Sequence, residues 1–276
     1  MQRNRLNDLV IAIGAASLCL ISLTACGKQQ IDLSSKADKI ASKSVTLGTG
    51  EVVFPDDRPS VADGKVVWNK QNCASCHGAD GSNSGAGKVN FADKGYMRLQ
   101  KPVDQYSFIW TGKEGVKHPT MQGTISRREA WSLVFYARSL ATPLLTDEET
   151  MPIDAVFGSN CAVCHGKKGY GDGPLAHNLE PVPANFQQFD RFYDRTDAIL
   201  WDHIANGIKW EGMPNFRGKE DKAKNVKFDD EYIWKLVQYV RHFHEQNEPT
   251  IAADGAGSSS NTGSSQTSEK EPVKAQ

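Results

Sequence analysis

The stretch Asn72-Cys73-Ala74-Ser75-Cys76-His77-Gly78 returns later in the chain as Asn160-Cys161-Ala162-Val163-Cys164-His165-Gly166, changed only at its fourth residue. Each copy contains C-x-x-C-H, the attachment pattern of a covalent haem. The spacing suits that chemistry. One turn of backbone presents two thiols to the two vinyl groups of the macrocycle, and the next side chain is an imidazole able to reach the iron. A lone C-x-x-C could equally be a redox dithiol or half of a zinc site. Two copies, each followed by its own His and neither set in a βαβ pattern, favour two haem c groups, held by Cys73 and Cys76 and by Cys161 and Cys164. His77 and His165 then become iron ligands.

Outward from the motifs, the two halves repeat. Val66, Val67 and Trp68 lead into the first motif as a short apolar helix, and Ala155, Val156 and Phe157 lead into the second. A glycine-rich loop follows each motif, then a helix, expected over 103–110 in the first half and 197–208 in the second. A methionine-bearing loop comes next, and a longer amphipathic helix closes each half. In the first half that helix opens on the capping box Ser126-Arg127-Arg128-Glu129. Ala130, Leu133, Val134, Ala137 and Leu140 fall on one face of it. Trp131-x-Leu133-Val134-x-Tyr136-x-Arg138 recurs as Trp234-x-Leu236-Val237-x-Tyr239-x-Arg241, with Asp229 in the N-cap place of Ser126. The cysteines repeat at an offset of 88, Met121 and Met213 at 92, and the closing helices at 103. Loop insertions in the second half, chiefly 216–228, account for the growing offset. The pattern describes a duplicated helical domain.

The ends differ in character. Arg3 and Arg5 precede an apolar run over 9–23, and Leu23-Thr24-Ala25-Cys26-Gly27 follows at once. The run is short for a spanning helix, which needs about 20 residues. Its end resembles a bacterial lipobox, so residues 1–25 are expected to be a lipoprotein signal peptide and Cys26 the lipidated residue; an uncleaved membrane anchor is the alternative. Residues 26–60 have no sustained period and are expected to form a tether. Residues 249–276 are Gly-, Ser- and Thr-rich, hold no aromatic, and are expected to be a disordered tail. The 32 basic and 33 acidic residues nearly cancel, so a nucleic-acid partner is not indicated.

Each half resembles a class I cytochrome c, and the chain resembles two-haem cytochromes built of such domains in tandem. The resemblance covers the first domain, 61–142, and the second, 150–248, with 143–149 as a hinge. It implies an all-α fold in which a small helical shell wraps each haem and the first and last helices pack crosswise. It also implies export, because haem is attached to C-x-x-C-H outside the bacterial cytoplasm. Six cysteines are then fully assigned: Cys19 in the signal, Cys26 to lipid and four to haem. Gly27 after the lipidated residue resembles lipoproteins released to the outer membrane.

The family places an axial methionine before the closing helix, where Gly212-Met213-Pro214 stands. In the first half Met121 occupies the matching loop, with Gln122 in place of the family's proline. His118 and, more remotely, Met97 compete with it. Pro181 and Pro183 lie where the family has a carbonyl accepting from the proximal imidazole, while 78–96 contains no proline. His177, His203, His242 and His244 are expected on surfaces or helix faces, and the tryptophans in packing around haem. The implied function is electron transfer, as a free carrier or as the cytochrome subunit of a membrane respiratory complex, with redox proteins as donor and acceptor. A two-haem peroxidase is the alternative, and no distal His or Glu stands out to serve it.

Overall fold

The computed structural model describes residues 44–47, 50–83 and 88–250. The expected signal peptide, Cys26 and the tail from 251 onward lie outside the described residues. Within them the protein is predominantly helical, as expected. Ten α-helices carry the fold: α1 (Val61–Lys70), α2 (Ala74–His77), α3 (Lys94–Met97), α4 (Pro102–Thr111) and α5 (Arg127–Ser139), then α6 (Asp147–Asn160), α7 (Ala162–His165), α8 (Phe189–Tyr193), α9 (Asp197–Asn206) and α10 (Asp230–His242). None is long and apolar enough to cross a membrane.

Local chemistry sets the helix ends. Ser60 caps α1 by accepting from the Asp63 amide. Ser126 and Glu129 form the expected capping box on α5. Thr146 and Glu149 form a second one on α6, so the acidic Asp147-Glu148-Glu149 expected in a hinge is the first turn of a helix. Carboxylates there complement the free amides and the helix dipole. Asp229 caps α10 through the Tyr232 amide.

In the first domain α1 crosses α5 at close range. A β-carbon on Gly64 would lie 2.0 Å from the Ser132 carbonyl oxygen, so glycine is what lets the two backbones meet. In the second domain α6 meets α10 through Phe157, with ring centres 5.1 Å from Tyr239 and 5.7 Å from Phe243.

Part of the stretch expected as tether is folded. Strands β1 (Ser44–Leu47) and β2 (Gly50–Val53) form an antiparallel hairpin. Beyond it Val52 and Phe54 are buried in the first core, and the indole Nε1 of Trp131 donates to the Val53 carbonyl at 2.9 Å. An isolated Val-Val-Phe among polar residues carries no helical period, which is why pattern alone passed over it. The 216–228 insertion likewise forms a short hairpin, β3 (Glu220–Asp221) and β4 (Val226–Lys227).

The two domains are packed together. Tyr193, from α8 of the second domain, is fully buried against the first, its ring centre 4.8 Å from both Trp131 and Phe135. Segment 244–250 runs back across the first domain. The Val61 amide donates to the Gln246 carbonyl, the Gln246 amide to the Pro59 carbonyl, and the Ser60 hydroxyl to the Glu248 carbonyl. The Thr250 amide and hydroxyl both donate to buried Asp63.

Candidate functional site

Each C-x-x-C-H motif forms a single helical turn directly after a longer helix. Asn72, at φ 54°, bends the chain out of α1, and the Cys73 amide then donates to the Trp68 carbonyl at 3.0 Å. Within the turn the His77 amide donates to Cys73 at 3.0 Å, and the His165 amide to Cys161 at 2.9 Å. All four motif cysteines are free thiols. One turn thus sets both sulfurs and the ring of each motif at the mouth of its own domain.

In the first domain Cys73, His77, Trp68, Phe91, His118 and Met121 line one cavity of about 60 Å³, walled further by Ile109, Leu133 and Val134. The sequence-selected residues Cys73, His77 and Met121 therefore converge, and so does the competing His118. The His77 and His118 ring centres are 6.3 Å apart. Met121 is buried, its amide donating to the Ile109 carbonyl at the end of α4. Met97 lies elsewhere, where Gln105 reaches its sulfur at 3.8 Å. Burial pushes His77 and His118 below the usual histidine range, which keeps both imidazoles neutral and able to ligate a metal. The Val89 carbonyl faces the His77 imidazole without reaching full hydrogen-bond geometry.

The second site is more fully buttressed. His165 Nδ1 lies 3.1 Å from the Ala184 carbonyl, which can only accept. That bond places the proton on Nδ1 and leaves Nε2 free for a metal. The acceptor is the residue after Pro183, not either of the prolines expected for the part. Phe186 stacks on the His165 ring at 4.6 Å. Met213 is held by a two-way backbone pair with Ile208, at 3.0 and 3.1 Å. This turn needs Gly207 at φ 70°, since a β-carbon there would sit 2.5 Å from the Met213 carbonyl oxygen. Met121 and Met213 are thus anchored alike, each to the residues ending the helix before it.

The donor set fits haem. Burial pushes the Cys161 thiol up to about 12, so its sulfur sits in a setting that suits a neutral thioether. Among the described residues no group of three or more His, Cys, Asp or Glu side chains gathers as a metal cage. Gln105 apart, the remaining walls of the first cavity are apolar and aromatic, as a macrocycle's faces demand. One expectation fails: His244 is not on a surface. It is 0% exposed, among Phe189, Phe192 and Tyr193, with the Val240 carbonyl near its ring. Its apolar neighbours come from a separate segment, so its own helix pattern could not reveal them.

Comparison with known proteins agrees with this geometry. Residues 61–141 match the family model described as cytochrome c, and residues 148–240 match cytochrome c oxidase, cbb3-type, subunit III. The protein is therefore a c-type cytochrome of two tandem domains, built for two covalently bound haem c groups. It is similar to the cbb3-type cytochrome c oxidase subunit CcoP of Azospirillum sp. (strain B510), 26% identical over 196 residues that cover 66% of this chain and 62% of that protein. It is also similar to subunit FixP of Bradyrhizobium diazoefficiens, 24% identical over 196 residues that cover 66% of this chain and 64% of that protein. The chain thus spans less than two thirds of the length of these curated relatives. A solved chain of the Kuenenia stuttgartiensis reducing HAO-like protein complex aligns with 70% of this chain and 100% of its own length, at 21% identity and a TM-score of 0.29.

Proposed function

We propose that this protein carries electrons through two haems as the cytochrome subunit of a membrane respiratory complex, with an oxidase of the cbb3 type as the partner. The observation that carries the reading is the first site, where Cys73, His77, His118 and Met121 line one cavity, with Cys161, Cys164, His165 and Met213 at the matching repeat positions of the second domain. With both axial positions filled by protein, nothing else need bind, and little reorganises when the charge changes. Bound haem supplies one-electron exchange; the chain supplies attachment, axial ligands and a dry setting, levers that span about 0.8 V across haem proteins.

Cys73, Cys76, Cys161 and Cys164 hold the two haems, and His77 and His165 are the proximal ligands. Met213 is the second haem's sixth ligand. For the first haem the repeat offset points to Met121, but the ring spacing favours His118. Two imidazoles sharing one metal at about 2 Å each place their ring centres roughly 6 Å apart, close to the 6.3 Å between His77 and His118. A His/His first haem would then lie at lower potential than a His/Met second haem, because thioether ligation raises potential.

The lipobox supports export and anchorage through a lipid on Cys26, on the periplasmic side. Partnership with a respiratory oxidase favours the membrane holding that oxidase over the outer membrane that Gly27 suggests. The test is to supply the reduced holoprotein to membranes containing a cbb3-type oxidase. Oxygen-dependent reoxidation that stops with an oxidase inhibitor is expected; reoxidation by peroxide alone, with no membranes present, would point to the peroxidase reading instead.

A further inference from the structure

Where the domains meet, the apolar packing gives way to a charged cluster. Asp197, at the start of α9, receives Arg138 from α5 of the first domain at 2.9 Å and Arg241 from α10 of the second at 2.8 Å. Both guanidiniums also reach acceptors beyond Asp197. Arg138 reaches the Gln100 carbonyl and Gln105 Oε1, each at 3.1 Å. Arg241 reaches the Phe192 carbonyl at 2.8 Å and the Arg195 carbonyl at 2.7 Å. One carboxylate thus serves two cations, leaving the cluster one positive charge in surplus. Glu245 stands beside it, 5% exposed.

Glu245 is not sealed away. It lines a cavity of about 40 Å³ between the domains, together with Arg138, Asp197, Arg241, Ser139 and Thr142. The last two are only partly buried and mark the way to solvent. Such a volume exceeds the roughly 10–15 Å³ one water needs, and beside the apolar Met97, Pro143, Leu144 and Val237 the walls offer several polar groups to hold it. A proton can therefore reach Glu245.

The same cluster touches both haem pockets. Gln105, bonded to Arg138, also lines the first cavity. On the other side His244 packs on Phe192 at 4.6 Å, Phe192 on Phe186 at 5.3 Å, and Phe186 on the ligand His165 at 4.6 Å. Packed protein thus joins Glu245's surroundings to both haem pockets, and screening through such packing is weak.

We propose that Glu245 is a redox-linked proton site: it takes a proton from solvent through the interdomain cavity when a haem gains an electron, and returns it when the electron leaves. This rests on the two-haem reading above. Each electron comes from the protein's donor and each proton from bulk water, so charge is conserved at every step. The groups facing Glu245 are Arg138 from α5, Asp197 from α9, Arg241 from α10, Tyr193 from α8 and its neighbour His244. Burial raises the Glu245 carboxyl, the two arginines pull it back and Asp197 pushes it up again, leaving it at about 8. Tyr193 and His244 stay neutral, both through burial above all, so Glu245 is the member of the cluster set to titrate near neutrality. By linkage, whatever factor an electron adds to proton affinity, a proton adds to electron affinity.

The test is a spectroscopic redox titration of the full-length holoprotein at pH values from about 6 to 9.5. The wild type is expected to show midpoint potentials that fall as pH rises around Glu245's titration, matching about a fivefold change in its proton affinity between redox states. Glu245→Gln is expected to lose that slope at one or both haems. A wild type with no slope at either haem, or a Glu245→Gln protein keeping both slopes, overturns the proposal. If Glu245→Gln does not assemble, redox-difference infrared spectra of wild type labelled with ¹³C-glutamate decide. A protonated carboxyl band that grows on reduction and shifts with the label supports the site, and its absence overturns it. A preparation without two haem c spectra fails the underlying reading instead, which separates the two.

Discussion

At the scale of single residues, the two haem sites differ most in what holds the proximal ring. His165 is oriented by the Ala184 carbonyl and by Phe186 stacked on it; His77 has Phe91 beside it at 4.9 Å and the Val89 carbonyl facing its ring in looser geometry. The proposed opposing ligands, His118 and Met213, differ too. His118→Leu is expected to turn the first haem's ferric spectrum from low-spin to high-spin, while Met121→Leu leaves it low-spin; the reverse pattern assigns Met121. The convergence of Cys73 and His77 on one cavity was legible in the sequence, because C-x-x-C-H folds as a single turn within five residues. The sixth ligand of the first haem was not, because His118 and Met121 share one loop and only the ring spacing separates them. Ala184 escaped because any residue offers a carbonyl, and side-chain identity does not mark which one will be aimed.

Among elements, the first domain depends on α1 meeting α5 at Gly64. Gly64→Val forces side-chain atoms into the Ser132 carbonyl and the Tyr136 β-carbon, and overpacking of this kind costs about 1–3 kcal/mol or more. The thermal midpoint should fall, with haem loss from the first domain preceding that from the second. A smaller effect belongs to the capping box: Ser126→Ala should cost about 1 kcal/mol, readable as a shifted denaturant midpoint with unchanged slope. The helices themselves were legible, since α5 and α10 announce their faces by period and their starts by Ser126 and Asp229. The stretch before α1 was not. Val52 and Phe54 fold because Trp131 and Tyr193 wait for them, with Phe54 and Trp131 stacked at 5.8 Å, and those partners lie far along the chain.

For the molecule as a whole, duplication was visible in the repeated motifs, but the joining of the halves was not. Arg138 and Arg241 occupy equivalent repeat positions, and in the sequence each passes for a solvated helix residue. The structure turns both onto Asp197. Burial pushes the Asp197 carboxyl up, and the two guanidiniums overcome it and hold it below the usual carboxylate range. A depressed native pKa contributes stability above the unfolded value that is lost as pH falls through the folded one. The domain interface should therefore loosen in acid, below the ordinary aspartate range, while each haem domain persists, which small-angle scattering can follow. Asp197→Asn removes the shared anion from two buried cations and should cost about 3–5 kcal/mol at neutral pH, seen as a lowered thermal midpoint.

The central claim is that each domain holds one covalent haem with both axial positions filled, so that the chain moves electrons and binds nothing at iron. The absorption spectrum of the purified ferric holoprotein, with haem counted per chain and cyanide and peroxide then added, tests it most directly. Two haems c per chain, both low-spin, a weak far-red sulfur-to-iron band from Met213, and no response to either addition are predicted. A five-coordinate high-spin haem that reacts promptly with peroxide would contradict it.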